Sequence, residues 1–270
     1  MNSELIKTSM KFFLNNTRNT LNYKDYIIDS FKIKNEGYIF QGITKVEEMY
    51  LITAYKKESN SIIFIYDNDF DLIRRTHLYN NAHVGGICYD GDSTIYITDK
   101  HGTISAYDLN EVLNNDLVYP KKEKIDVSDK LINIFGQTAC AYIQHHRDLL
   151  FLGNFNKKEK SILKIYKESK LGKEFKIIED FAPLVQGIAL NDKYLLVSSS
   201  FGALNKSIVS IYEYDKEFNL ELKTRIKLPP MLEQIHLDHN ELICLFEINS
   251  YIKKNKYDDI LILDMAQLLE

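Results

Sequence analysis

A chain of 270 residues with 34 Lys and Arg against 38 Asp and Glu carries a formal charge of −4 and an isoelectric point near 6.0, which gives no long-range attraction for nucleic acid or an anionic membrane. Its 45% hydrophobic and 27% charged residues match an ordinary globular domain, and no apolar run approaches the roughly 18–20 residues of a membrane span. Met1 to Tyr23 holds one short apolar patch (Met10, Phe12, Phe13, Leu14) without the h-region or cleavage site of a signal peptide, so a cytoplasmic location is expected, the alternative being a secreted protein whose signal has been removed.

Residues 1–22 read as an N-terminal extension, with a short amphipathic helix around Leu5 to Leu14. Residues 23–270 read as one domain. Tyr26 to Ile33 turns strand-like, and then a repeat begins. Its landmark is Phe40-Gln41-Gly42-Ile43-Thr44, which returns at Val84–Cys88, Cys140–Gln144, Val185–Ala189 and Leu232–His236. The anchoring isoleucines lie 87−43 = 44, 143−87 = 56, 188−143 = 45 and 235−188 = 47 residues apart. Periods of roughly 40–50 residues mark propeller blades and other repeat arrays.

Each repeat resolves into short strands separated by turn residues. The first gives Gln41–Val46, Met49–Tyr55, Ser61–Asp67 and Leu72–Leu78. The second gives Gly86–Tyr89, Thr94–Asp99 and Thr103–Asp108, followed by a less regular stretch from Glu111 to Asp129. The third gives Ala141–Gln144, Leu149–Asn154, Ser161–Tyr166 and Phe175–Ile178. The fourth gives Gln186–Leu190, Tyr194–Ser199, Ser207–Tyr214 and Leu222–Leu228, and the fifth Gln234–Leu237, Leu242–Glu247 and Asp259–Asp264.

The third strands are near copies: Ser61-Ile-Ile-Phe-Ile-Tyr-Asp67, Thr103-Ile-Ser-Ala-Tyr-Asp108, Ser161-Ile-Leu-Lys-Ile-Tyr166, Ser207-Ile-Val-Ser-Ile-Tyr212 and Asp259-Ile-Leu-Ile-Leu-Asp264. Two landmarks in one register predict an all-β, five-bladed β-propeller of four-stranded antiparallel blades. The fifth repeat lacks a fourth strand, and the N-terminal strand at Tyr26–Ile33 is predicted to supply it, closing the ring and removing two sheet edges.

His83-Val-Gly-Gly-Ile-Cys-Tyr-Asp90, Ser198-Ser-Ser-Phe-Gly202 and Leu228-Pro-Pro-Met-Leu-Glu233 resemble a group of bacterial propeller proteins, mostly secreted. That group carries HVGGIAYD, a Ser/Thr-Ser-x-Gly turn, and PPMxEGI followed by a FES-like strand end. The resemblance covers most of residues 37–265 and implies the five-bladed fold; the group has no settled activity, so it implies no reaction. This chain has Gln234 where the group has Gly, and Ile248 where Ser follows the Glu.

In a propeller the first strands line a central channel and run the same way, so equivalent positions form rings. Before the Gly-Ile step the ring is Gln41, Gly85, Ala141, Gln186 and Glu233; nearer the mouth come Ile39, His83, Ala139, Leu184 and Met231. Second-strand ends bring Tyr55, Asp99, Asn154, Ser199 and Glu247 to the same face. Gly42, Gly85, Gly86 and Gly187 allow backbones to crowd at the axis or to approach a ligand. Polar groups converging on a concave mouth describe a small-molecule site, and the candidate ligand contacts are Gln41, Tyr55, His83, Gln186, Ser199, Glu233 and Glu247.

The plain alternative is that Gln41 and Gln186 hold ordered water and that His83 caps a neighbouring blade. Glu233 needs a partner, because a carboxylate near the axis is costly alone. Three function classes follow. The leading expectation is a ligand-binding propeller holding a small polar molecule or sugar; the others are a hydrolase or lyase with Glu233 and His83 as acid and base, and a protein-interaction scaffold using loops Glu111–Asp129 and Ser250–Tyr257. A monomer without cofactor or metal is expected, with a small polar molecule or a protein as partner and neither nucleic acid nor membrane.

Other patterns carry less. His145-His146 face opposite ways if they lie in a strand and cannot share one metal. His236 and His239 flank Asp238 in what reads as a solvated turn, and Lys121–Lys124 and Lys253–Lys256 read as solvated loops. There is no P-loop, dinucleotide turn, HExxH or GxSxG, and Tyr66-Asp67-Asn68-Asp69 is a hairpin turn without the spacing of a calcium loop. Cys88, Cys140 and Cys244, with no CxxC pairing, read as buried thiols.

Overall fold

The computed structural model describes residues 20–99, 103–121, 125–126, 140–157, 159–168, 174–247 and 258–270. Five mainly antiparallel sheets form a ring, and each runs from an inner strand at the axis to an outer strand at the rim. Blade 1 is Ile39–Val46, Met49–Tyr55, Ile62–Tyr66 and Leu72–Leu78; blade 2 is Ile87–Tyr89, Thr94–Thr98, Thr103–Asp108 and Ile125–Asp126. Blade 3 is Tyr142–His146, Leu149–Gly153, Leu163–Lys167 and Glu174–Ile178, and blade 4 is Val185–Leu190, Tyr194–Ser199, Ser207–Tyr214 and Leu220–Leu228. Blade 5 takes Leu232–Asp238, Glu241–Phe246 and Ile260–Asp264 from the C-terminal end and Ile27–Phe31 from the N-terminal end. The expected closing strand is therefore present, in antiparallel register from Ile27↔Leu263 to Phe31↔Ile260.

The apolar core is divided into five wedges, one between each pair of neighbouring blades. Alternation along a strand explains why. Ile62, Phe64 and Tyr66 face blade 5, whereas Ile63 and Ile65 of the same strand face blade 2. A strand buried on both faces needs a continuous apolar run, and the third strands supply one.

In blades 1, 4 and 5 the polar side chain that opens the third strand clips the crossover from the outer strand to the next blade; in blade 3 the backbone of Ser161 does so, its Oγ having no hydrogen-bond partner among the described residues. Ser61 Oγ donates to Ala82 O at 2.5 Å, and Ser161 exchanges backbone hydrogen bonds with Phe181 and Ala182. Ser207 Oγ accepts from Leu232 N at 3.1 Å. At the ring closure Asp259 plays this part, its Oδ2 accepting from Ile33 N at 3.0 Å.

Three expectations change. Leu21–Asn22, assigned to the extension, pairs in parallel with Ile226–Lys227 at the rim of blade 4 and belongs to the propeller; the helix expected around Leu5 to Leu14 lies outside the described residues. The stretch after Asp108 is not irregular throughout. It forms a helix over Leu109–Asn114, capped by Asp108 Oδ1 on Asn110 N and Glu111 N, then a strand Leu117–Val118 parallel to the blade 1 rim, then Ile125–Asp126 as the blade 2 outer strand. Strands of two residues are too short to show a period. Finally, His236 is not in a solvated turn: burial lowers its imidazole pKa to about 4, and its Nδ1 has no hydrogen-bond partner.

The neighbouring histidines do separate as a strand requires. His145 meets Glu168 at 3.1 Å and His146 meets Asp192 at 2.9 Å. Cys88, Cys140 and Cys244 are buried and free. Among the described residues no helix is long and apolar enough to cross a membrane, and no three His, Cys, Asp or Glu residues are grouped to hold a metal ion.

Candidate functional site

The inner strands touch one another around the axis, and the channel between them is blocked by one side chain. Gln234, fully buried, donates from Nε2 to Ile87 O at 3.0 Å, while its Oε1 accepts from Ile43 N at 3.2 Å and Ile87 N at 3.3 Å. Blade 5 is thereby tied across the axis to blades 1 and 2. Two glycines make the room. A Cβ on Gly42 would stand 2.7 Å from Gln234 Oε1, and one on Gly187 would stand 2.9 Å from Gln234 Cα. Gly42 and Gly187, which could have admitted a ligand, instead admit this amide at the axis as the floor of the channel.

Above that floor, at the end where second strands finish, lies a recess of about 270 Å³. All five members of the ring inferred from sequence line it: Gln41, Gly85, Ala141, Gln186 and Glu233. Three of them are aimed there by the same device. Inner and second strands slip register between Phe40 and Gly42, between Val185 and Gly187, and between Leu232 and Ile235. The first two slips leave one residue without a partner, Gln41 and Gln186, and the third leaves two, Glu233 and Gln234; a bulge of this kind re-aims a side chain. Gln41, Gln186 and Glu233 sit in those bulges.

The serine run Ser198-Ser-Ser200 holds the entry to blade 5. Ser198 Oγ reaches Glu233 O at 2.8 Å and Gly187 O at 3.1 Å, and Ser207 Oγ joins Ser200 Oγ (3.0 Å) to Leu232 N. Thr53 acts likewise between blades 1 and 2, donating to Val84 O at 3.0 Å. These hydroxyls fix the backbone from which the site residues project.

The electrostatic centre is a carboxyl pair. Glu233 is buried and hydrogen-bonded to Glu247; burial, then the neighbouring charge of Glu247, hold its carboxyl well above the usual carboxylate range. Burial also raises Glu247, and its hydrogen bond from Glu233 opposes that rise. Both carboxyls are thus held above the usual carboxylate range, Glu233 the further, because two neighbouring carboxyls away from water disfavour each other's charge. Tyr55 stands close enough that burial and the charges of Glu247 and Glu233 raise its phenol. Its ring lies 4.4 Å from the His83 ring, centroid to centroid. His83 keeps solvent exposure at the lip, yet the atoms crowded around it lower its imidazole pKa through desolvation.

Of the seven candidate contacts, Gln41, His83, Gln186, Glu233 and Glu247 line the recess. Tyr55 supports the wall behind His83. Ser199 does not line the recess, and its hydroxyl donates to Pro183 O at 3.0 Å. Glu233 finds its partner in Glu247 rather than in His83. Asp99, which accepts from Ser105 Oγ at 3.0 Å, completes the blade 2 side. Sequence reasoning passed over Phe155 and Lys157, which line the blade 3 side, with the Lys157 ammonium 5.9 Å from the Phe155 ring centre and 5.6 Å from that of Phe201. They lie in a loop, where no periodic pattern singles them out.

Fold and recess together define a five-bladed β-propeller with a plugged axis and a polar cup at its mouth. No protein-family model matches the sequence, and no curated protein matches it. Among solved structures it is similar to the Neurospora crassa Pan2 WD40 domain, at 7% identity and a TM-score of 0.45 over 77% of this chain and 58% of that one. It is similar also to U3-55K, at 10% identity and a TM-score of 0.48 over 88% and 98% of the two chains. Raptor from Chaetomium thermophilum gives 10% identity and 0.44 over 83% of this chain and 19% of that one. The chain thus spans little more than half of the Pan2 domain and under a fifth of Raptor. These are distant likenesses, and no functional argument rests on them.

Proposed function

We propose that this propeller binds one small polar molecule in the cup above the Gln234 floor. The observation that carries the reading is the convergence of three bulged side chains, Gln41, Gln186 and Glu233, with Glu247 on one closed-bottomed recess. A recess of about 270 Å³ lies just below the roughly 300–1,000 Å³ of drug-sized clefts, so the occupant is the size of a monosaccharide or an amino acid. Gln186 is half-buried and makes no hydrogen bond with any described residue, which leaves its amide to the occupant.

The test is a thermal-shift screen of monosaccharides, amino acids and polyamines against the wild type and Gln186→Leu. Stabilisers of the wild type that lose their effect in the variant support the reading. An empty screen, or stabilisation that survives the substitution, removes it.

An acid–base enzyme is the second reading, favoured by the hydrogen-bonded carboxyls of Glu233 and Glu247, both raised by burial. Directly hydrogen-bonded carboxyls are too close for the roughly 5–9.5 Å separations of two-carboxylate glycosidases, so this pair fits proton transfer at a single centre.

A further inference from the structure

The inner part of the cup presents the Gln41 amide oxygen and the carboxyl groups of Glu233, Glu247 and Asp99, beside the Gln186 amide, which offers both a donor and an acceptor. Gln41 is 1% exposed; its Nε2 donates to Phe40 O at 2.6 Å, and its Oε1 accepts from no described residue. Glu233 and Glu247 are hydrogen-bonded to each other, and no described Lys, Arg or His is among the groups that act on either carboxyl. A buried carboxyl pair that ionises with no cation beside it is short of a countercharge. Asp99 adds a second carboxylate on the opposite wall. The remaining charged and titratable groups are His83 and Tyr55 at the lip and Lys157 on the blade 3 side, the last held over Phe155 and Phe201.

We infer that the occupant of the cup is a cation: a small molecule whose ammonium or guanidinium group sits between Gln41 Oε1 and the Glu233–Glu247 pair. The inference rests on the ligand-binding reading and narrows it to one chemical class. An N–H-rich cation satisfies the open Gln41 acceptor and neutralises Glu247 at once, and neither a hydroxyl nor a carboxylate does both. Charge-assisted hydrogen bonds in a closed recess are the stronger kind, so the charge and not the shape of the ligand should dominate selection.

Two pairs of near-isosteric probes separate charge from shape: glucosamine against glucose, and L-arginine against L-citrulline, titrated calorimetrically into the full chain. The expected result is that the charged member of at least one pair binds about tenfold or more tightly than its neutral partner, and that Glu247→Gln abolishes the difference while the variant melts as the wild type does. A neutral member that binds as tightly as its charged partner overturns the cation assignment and leaves the ligand-binding reading standing. Charge preference that persists in Glu247→Gln overturns the placement, and binding by none of the four overturns the inference. The ligand-binding reading itself fails separately, on an empty screen.

Discussion

Replacing Gln234 with Ala tests whether the axis is held by one amide. The side chain makes three hydrogen bonds, to Ile43 N, Ile87 N and Ile87 O. Each is worth about 0.5–1.5 kcal/mol net, and the buried backbone groups left behind carry their own desolvation penalty. Water entering the vacated space recovers part of that loss. The expected cost is therefore about 2–4 kcal/mol, which for a chain of this size lowers the melting temperature by roughly 5–15 °C. The assay is urea unfolding followed by far-UV circular dichroism, since the chain has no Trp. A loss under about 0.5 kcal/mol, the range of an ordinary surface substitution, would refute the plug, because the three backbone groups would then be satisfied without Gln234.

Two further outcomes follow from buried carboxyls. Glu233 and Glu247 have raised folded-state pKa values, so their contribution to stability is present below the ordinary carboxylate range and is lost as pH rises through and above it. His236 has the opposite sign: held to about 4, it contributes stability that is full above pH ~6.5 and lost as pH falls towards 4. Glu233→Gln removes the Glu233 part of the first trend and leaves that of Glu247 and of His236, so the variant should gain on the wild type between pH 4 and pH 7.5 in denaturant midpoint, and a pH-independent difference would contradict the raised Glu233 carboxyl. At the ring closure, Asp259 is raised to about 6 by burial although its Oδ2 accepts from Ile33 N. Asp259→Asn keeps an acceptor without the buried charge and should stabilise by about 1–2 kcal/mol at pH 7, whereas Asp259→Ala should speed amide exchange in Ile27–Phe31; equal exchange in the two variants would show that the clip does not hold the closing strand.

The fold was legible because its signals are local and repeated. An apolar run opened by Ser, Thr or Asp, five times in one register with the Gly-Ile step, leaves little freedom in topology, and the missing fourth strand of blade 5 pointed to Tyr26–Ile33. The ring of Gln41, Gly85, Ala141, Gln186 and Glu233 was legible for the same reason, since equivalent positions in equivalent strands must face one axis. Other features depend on contacts that no local pattern carries. Gln234 meets Ile43 and Ile87 across sequence separations of 191 and 147 residues, so it showed only as a departure from a Gly. The bulges were invisible because an extra residue in a strand looks like the next step of the alternation. Ser199 lies at a mouth-facing strand end like Glu247, yet its hydroxyl is taken by Pro183 O. Equivalence of position fixes direction; it does not fix what a side chain bonds to.

The backbone at the mouth shows how the side chains of the cup are aimed. Val84, Leu184 and Met231 adopt positive φ, at 48°, 58° and 68°, a region that costs a non-glycine residue about 1 kcal/mol or more and is least suited to a β-branched side chain. They lie at the entries to blades 2, 4 and 5: Val84 directly follows His83, while Leu184 and Met231 stand two residues before Gln186 and Glu233. The entries to blades 4 and 5 use the kink in the same way: Leu184 O accepts from Ser200 N at 3.0 Å, and Met231 O accepts from Glu247 N at 2.8 Å. The second of these bonds fixes the backbone of Glu247 one residue from the end of its strand and so sets where its carboxylate meets Glu233. A glycine at Leu184 or Met231 would relieve the strain and would loosen the chain on the way into the bulges. Five apolar wedges, each closed by its own blades, supply the stiffness against which such strain can be held. The same left-handed backbone recurs at eight other non-glycine residues, Glu47, Arg147 and His239 in hairpin turns among them, so at the mouth it is a turn device that also sets the direction in which Gln186 and Glu233 leave the chain.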